Sequence, residues 1–388
     1  MLRLAQLVRR WRESALGRDL GRALLLFLLW RGVLFAFAFV AGSITTDRFP
    51  HGINHDWNGG WFWNGWARWD AGWYRDVVRY GYYVVPGYGE STVAFFPLYA
   101  YLTKVLFYLT RNLLAAGLIV SNLSLVFSLF YLLRIGRRYF DEETVQRGLV
   151  YLLVFPTSFF FSAFYAEALF LLTTTAAFYY FLDERYFWCG IWGMLACLTR
   201  SSGVALFLAM AAGYFWNRRA HLSQMRLGAL WLLLIPCGLL IFMLILKLTV
   251  GDPLAFSKVQ AAWGRHLKFP LVTLWDEGRK LNFAVPRNAK NMDILGGQVV
   301  SVLFLIVPLF LIGKVDVSLI LYSLLLVLIP LSTGRVLSIP RFAAPIFPAF
   351  FALAYRVKSR RFEQLFITAS ALLLGFYTVQ YFNQYWAN

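Results

Sequence analysis

The chain has 388 residues, of which 60% are apolar and only 14% charged, with a mean hydropathy of +0.60. Soluble domains run at about 45–50% apolar and about 25% charged, so the composition excludes a soluble enzyme, a disordered tail and a coiled coil. The net charge of +18 would point to nucleic acid in a soluble protein. Here the cations lie in short segments between long apolar blocks, so the expected partners are membrane lipids with anionic headgroups and not nucleic acid.

Taken in chain order, the first 22 residues carry six Arg, and the apolar block that follows is long enough to cross a bilayer; no cleavable signal peptide is expected. Hydropathy predicts about eleven transmembrane helices, at 23–42, 113–133, 148–165, 167–182, 187–199, 203–216, 227–249, 295–313, 317–331, 342–355 and 364–382. Pro156, Pro236 and Pro308 fall inside these segments, which lipid-buried helices tolerate when neighbours satisfy the freed carbonyls. Cys189, Cys197 and Cys237 sit in apolar runs and read as small buried hydrophobes, not as disulfides or ligands.

With the N-terminus in the cytoplasm, the inner connections 1–22, 134–147, 183–186, 217–226, Lys314 and 356–361 hold nineteen Lys and Arg. The short outer ones hold only Arg200, Arg335 and Arg341. The positive-inside rule selects this orientation and puts the C-terminus outside. The chain reads as a single polytopic domain over 1–388 with two long outer loops, at 43–112 and 250–294. A transporter keeps its connections short and its polar residues at mid-membrane; this chain concentrates polar chemistry in outer loops and at outer helix ends.

The first outer loop holds six Trp within 57–73. Indoles prefer the headgroup level, so an interfacial belt is the plain reading; a platform for sugar faces is the sharper one. On a continuous helix Trp66, Trp69 and Trp73 share a face and Asp70 lies one step away, while Asp76 points nearly opposite. A carboxylate among indoles at a membrane surface suits general-base chemistry; the alternative is an ion pair with Arg68 or Arg75. His51, His55 and Asp56 match no strong metal spacing. Residues 94–110, apolar but holding Pro97, Thr103 and Lys104, read as a half-inserted outer helix.

Three further polar groups reach the same side: Tyr165-Ala166-Glu167, Thr199-Arg200-Ser201-Ser202-Gly203, and Ser332 to Arg335 with Ser338 to Phe342. An arginine at a helix end can simply snorkel, but a set of them facing Asp70 suits a lipid-linked phosphate, to which Arg offers forked donors. The second outer loop carries Asp252-Pro253, read as a turn or helix start, and a basic amphipathic stretch that suits a surface helix over the cavity. No GxGxxG or GxxxxGK[ST] is present.

These stretches carry a resemblance. Arg68-Trp69-Asp70-Ala71, Tyr80-Gly81-Tyr82, Ala94-Phe95-Phe96-Pro97-Leu98-Tyr99, Phe155-Pro156-Thr157-Ser158, Tyr165-Ala166-Glu167-Ala168-Leu169-Phe170 and Leu198-Thr199-Arg200-Ser201-Ser202-Gly203 together resemble the PIG-V mannosyltransferase family of the GT-C class. The similarity runs over most of 25–350. It implies an all-α integral membrane fold, a GT-C-type bundle with a long helical first outer loop. It also implies transfer of a sugar, usually mannose, from a polyprenyl- or dolichyl-phosphate donor to a lipid or glycan acceptor hydroxyl with inversion.

Asp70 stands at the family's WDA aspartate and inherits the general-base role. The implied substrate site is Arg68, Trp69, Trp73, Tyr74, Phe96, Pro97, Tyr165, Glu167, Arg200, Lys258 and Arg341. Of these, Arg200, Arg341 or Lys258 would hold the departing phosphate, and Tyr165 and Glu167 would position the sugar or the acid. No metal and no cofactor is expected. Eukaryotic members tend to have His-Phe where this chain has Trp73-Tyr74, which leaves the acceptor open.

Another donor sugar, a lipid or sugar-lipid transporter, and a non-catalytic scaffold are the competing readings. The sole N-x-S/T match, Asn122-Leu123-Ser124, lies inside a predicted span. The absence of sequons from the outer loops favours a bacterial plasma membrane with the site on its outer face, over the lumenal face of the endoplasmic reticulum.

Overall fold

The computed structural model describes residues 14–44, 57, 59–218, 226–281 and 289–384; among them there is no strand. The first helix, α1 (Ala15–Ile44), is followed in the first outer loop by α2 (Gly60–Asn64), α3 (Ala71–Tyr80) and α4 (Pro97–Thr110). Next come α5 (Leu113–Gly136), α6 (Glu142–Val154), α7 (Glu167–Leu182), α8 (Tyr186–Thr199), α9 (Val204–Asn217) and α10 (Leu234–Val250). The second outer loop holds α11 (Ala255–Lys258) and α12 (Pro270–Gly278). The remainder is α13 (Ala289–Ile306), α14 (Val317–Leu331), α15 (Ile339–Ala343), α16 (Phe347–Arg356) and α17 (Arg360–Phe382).

Among the described residues, five stretches are long and apolar enough to cross a membrane: Ala15–Ser43, Leu113–Gly136, Leu227–Val250, Asn291–Leu311 and Arg360–Phe382. Glu167–Leu182, Tyr186–Thr199 and Val317–Leu331 are shorter apolar helices. The protein is thus an all-α integral membrane protein. Its centre is α7, almost wholly buried and packed between α5 and α8. The hydroxyls of Thr173 and Thr175 are satisfied on carbonyls of their own helix, as a buried polar group requires.

Two expected spans are broken. The run 148–165 is not one helix: α6 stops at Val154, Phe155 is extended (ψ 136°) as a residue before proline tends to be, and a 3-10 turn covers Ser158–Phe161. The run 342–355 splits into α15 and α16, with Pro345 and Pro348 between and at the junction. Thr157 ties the two breaks together, its buried hydroxyl donating to the Pro340 carbonyl at 2.9 Å. The second interruption lines the cavity described below, through Ser338, Arg341, Phe342 and Pro345.

The basic connections assigned to one side do gather at one end of the bundle. Arg137 pairs with Asp19 and Glu142, Arg138 with Asp183, Arg147 with Glu363, and Glu184 with Arg218 and Arg226. Cys189 and Cys197 are buried as expected, and Cys237 is half-buried.

Candidate active site

At the other end a cavity of about 660 Å³ opens between the first outer loop, the start of α7, the α8–α9 turn, α15 and the second outer loop. Asp70 stands at the N-terminus of α3, directly after Trp69, whose φ of 54° is left-handed. A non-glycine residue there stores strain that its surroundings must hold in place. Two buried phenols do so. The Tyr165 hydroxyl accepts from the Asp70 N–H at 3.1 Å and donates to the Arg68 carbonyl at 2.9 Å, and the Tyr381 hydroxyl accepts from the Arg68 N–H at 3.0 Å.

The strained step separates α2 from α3, so Trp66, Trp69 and Trp73 do not share one helical face. Trp66 is fully buried, its carbonyl accepting from the Phe164 N–H at 2.8 Å, and Trp57 is also buried. Trp61 and Trp63 stay exposed. Trp73 stacks on Phe95 at 6.0 Å and meets Trp263 edge-on at 6.4 Å. A belt at the headgroup level does not account for Trp57 and Trp66, which enter the core.

The Asp70 carboxylate pairs with Arg341, 2.8 Å from Oδ2. The alternative of an ion pair with Arg75 fails, because Arg75 turns to Asp76 at 2.8 Å; Arg68 meets the two phenols through its backbone. Arg341 also lies 3.3 Å from Glu167, which bonds Arg200 at 2.7 Å. An Asp70–Arg341–Glu167–Arg200 chain therefore lines the cavity. Burial works against the charge on Arg341, yet Asp70 and Glu167 beside it raise its pKa above the ordinary guanidinium value. Glu167 heads α7, where the helix N-terminus favours an anion, and its Oε2 is buried with no hydrogen-bond partner.

Tyr74 and Phe96 line the same cavity; Arg68, Trp69, Trp73 and Pro97 do not. Burial, then the neighbouring Glu167, keep the Tyr74 phenol protonated by raising its pKa. Phe96 packs on Phe242 and Phe256, and Pro97 opens α4. Lys258 is placed elsewhere: the α11 turn sends it to Asp252 at 2.7 Å, which also accepts from the Tyr88 hydroxyl at 2.6 Å. In its stead the second outer loop contributes Arg265, and Arg335 joins it. Neither makes an ion pair among the described residues. Burial, with Arg341 nearby, lowers the Arg265 guanidinium to about 10. Sequence reasoning passed over Arg265; the left-handed glycine before it, Gly264 at φ 63°, is the local signal that the chain turns there.

Among the described residues no three His, Cys, Asp or Glu side chains come together. His51, His55 and Asp56 lie outside the described residues.

The fold and this cavity define an all-helical membrane protein with a buried acid–arginine chain at one end of its bundle. Residues 20–257, more than half of the chain, match the mannosyltransferase (PIG-V) family, and the chain belongs to that family. The matched region carries Asp70, Tyr165, Glu167 and Arg200; Arg265, Arg335 and Arg341 lie beyond it. Among solved structures, ArnT from Cupriavidus metallidurans, bound to undecaprenyl phosphate, is similar at 16% identity and a TM-score of 0.49. That likeness covers 87% of this chain and 61% of the ArnT chain, so this chain spans about three-fifths of its length. Among curated proteins nothing matches.

Proposed function

We propose that this protein is a glycosyltransferase that moves mannose from a polyprenyl-phosphate carrier to a hydroxyl of a lipid or glycan acceptor on the outer face of the membrane. Family membership supports the reaction class. The observation that carries the site assignment is the Asp70 carboxylate, fixed by Arg341 in a cavity that Arg265 and Arg335 also line, two arginines that make no ion pair among the described residues.

Asp70 takes the proton of the acceptor hydroxyl as the acceptor oxygen bonds to the anomeric carbon. The bond from that carbon to the phosphate oxygen breaks, and the electron pair leaves on the carrier phosphate. A single displacement of this kind inverts the anomeric configuration. Arg265 and Arg335 meet the charge that grows on the phosphate; Arg200 and Arg341 are already engaged by carboxylates and serve to hold Glu167 and Asp70. The free Oε2 of Glu167 accepts from a hydroxyl of the donor sugar. The energy of transfer resides in the carrier phosphate ester, so no nucleotide site is required.

The test is transfer of labelled mannose from synthetic polyprenyl-phosphate mannose in proteoliposomes supplied with native lipid extract, wild type beside Asp70→Asn. The expected result is transfer by wild type, reduced about 10²–10⁴-fold in Asp70→Asn with donor binding kept. Equal transfer by both would remove Asp70 as the base and put Glu167 next. Transfer only from carriers of other sugars would remove mannose. Silence with every donor would overturn the enzyme reading.

A further inference from the structure

The second outer loop enters the Asp70 cavity through a short 3-10 stretch, Val259–Trp263, that ends at the left-handed Gly264. Two main-chain bonds close this ending. The Gly264 N–H donates to the Ala261 carbonyl at 2.8 Å, and the Arg265 N–H donates to the Gln260 carbonyl at 3.1 Å. This nested pair is a Schellman ending, which folds the residue after the glycine back onto the start of the last turn. The two side chains brought together in this way frequently make an apolar contact. Here they are Arg265 and Gln260, and the Arg265 Nη1 donates to the Gln260 Oε1 at 3.0 Å.

Gln260 meets Arg265 with its oxygen because its amide nitrogen already donates to the Phe256 carbonyl at 3.1 Å. The acceptor is therefore neutral. It engages one N–H of the guanidinium and leaves the charge in place. Arg200 and Arg341 differ: Glu167 and Asp70 supply each with a carboxylate.

All three guanidiniums gather on one ring. Their central carbons lie 4.4 Å (Arg200), 5.0 Å (Arg341) and 5.7 Å (Arg265) from the centroid of Phe342, within reach of cation–π attraction. Like charges this close repel, and the two carboxylates offset two of the three. An aromatic quadrupole attracts a cation without cancelling its charge, so Phe342 helps to keep Arg265 beside the other two. All five side chains line the Asp70 cavity.

We propose that Gln260 and Phe342 are positioning residues for donor binding that act through Arg265: they hold its guanidinium at the cavity wall and leave its charge for the carrier phosphate. This rests on the reading of Arg265 as a ligand of that phosphate.

Gln260→Glu separates placement from charge. It keeps the reach of the side chain and gives Arg265 a counter-ion. In the proteoliposome assay, KM for polyprenyl-phosphate mannose should rise about tenfold, with kcat changing less and the melting temperature not lowered. A merely structural Gln260 predicts no such split. Gln260→Met is neutral and lacks the bond; it should raise KM about threefold, and it keeps the test open if Gln260→Glu fails to fold. Phe342→Leu should also raise KM about threefold, while Phe342→Tyr, which keeps the ring face, should stay near wild type. An unchanged KM in folded Gln260→Glu or Gln260→Met would overturn the role of Gln260. Equal KM for Phe342→Leu and Phe342→Tyr would overturn that of Phe342. Binding of a fluorescent short-chain polyprenyl phosphate, measured on the same variants, should weaken in the same order. Absence of transfer by wild type would sink the proposed reaction and leave the binding series to judge these residues; wild-type transfer with KM and binding unchanged in every variant would sink this inference alone.

Discussion

Asp70 is held from behind. Trp69 takes a left-handed backbone in front of it, and the Tyr165 hydroxyl clamps both sides of that step, at the Arg68 carbonyl and the Asp70 N–H. Tyr165 is thus a positioning residue, acting on the carboxylate through the main chain. Tyr165→Phe removes both bonds while keeping the ring against Phe160. We expect kcat for mannose transfer to fall about tenfold or more, since small misplacements of a reacting group are costly, with KM for the donor nearly unchanged. Stability should fall by about 1–3 kcal/mol. A drop in melting temperature with kcat intact would reduce Tyr165 to a structural role. Asp70, Tyr165, Glu167, Arg200 and Arg341 could be gathered from the sequence because each sits next to a turn at the same end of its apolar block. The counter-ion of Asp70 could not: Arg341 is 271 positions away, and charge near in sequence pointed to Arg68 and Arg75.

The second outer loop shows what an element adds. Gly264 is left-handed, and a Cβ there would fall 2.3 Å from Nη2 of Arg335. Gly264→Ala therefore strains the turn and pushes away one of the two arginines assigned to the phosphate. The expected result is a rise in KM for the polyprenyl-phosphate donor, with kcat at saturation less affected, measured in the same proteoliposome assay; an unchanged KM would remove Arg335 from the donor site. The loop is anchored at its start by Asp252. Hydrogen bonds from Lys258, then from the Tyr88 hydroxyl and the Leu254 N–H, hold this carboxylate down from the ordinary 3.8 to about 2. A depressed folded pKa means that its contribution is complete above the ordinary value and is lost only as pH falls toward 2. Trypsin cleavage at Arg265 and Lys268 should accordingly be flat from about pH 6 to about pH 8 after correction for protease activity, and faster throughout that range in Asp252→Asn. The broken helices were the part least legible in sequence. An apolar run reads the same whether it crosses a membrane or bends inside a bundle, and Pro156 is compatible with both until Thr157 is seen bonded to Pro340.

At the scale of the whole molecule the charges sort the ends. The connections rich in Lys and Arg meet through ion pairs that join α1 to α6, α5 to α7, and α6 to α17. The acid–arginine cavity sits at the opposite end, where the short connections hold few cations. That clustering was readable in advance because it depends on counts between apolar blocks and not on packing. Relative sidedness is thus a property of the fold, and from the positive-inside rule we expect the paired end to lie in the cytoplasm. Cysteine labelling in intact cells measures this directly, after the natural Cys189, Cys197 and the half-buried Cys237 have been replaced. A cysteine at the exposed Arg111, between α4 and α5, should react with a membrane-impermeant maleimide at once, and one at the exposed Arg185, between α7 and α8, only after permeabilisation. The reverse pattern would put Asp70 on the cytoplasmic side, where a donor presented on the outer leaflet could not reach it, and the proposed reaction would then have to draw its donor from the inner leaflet.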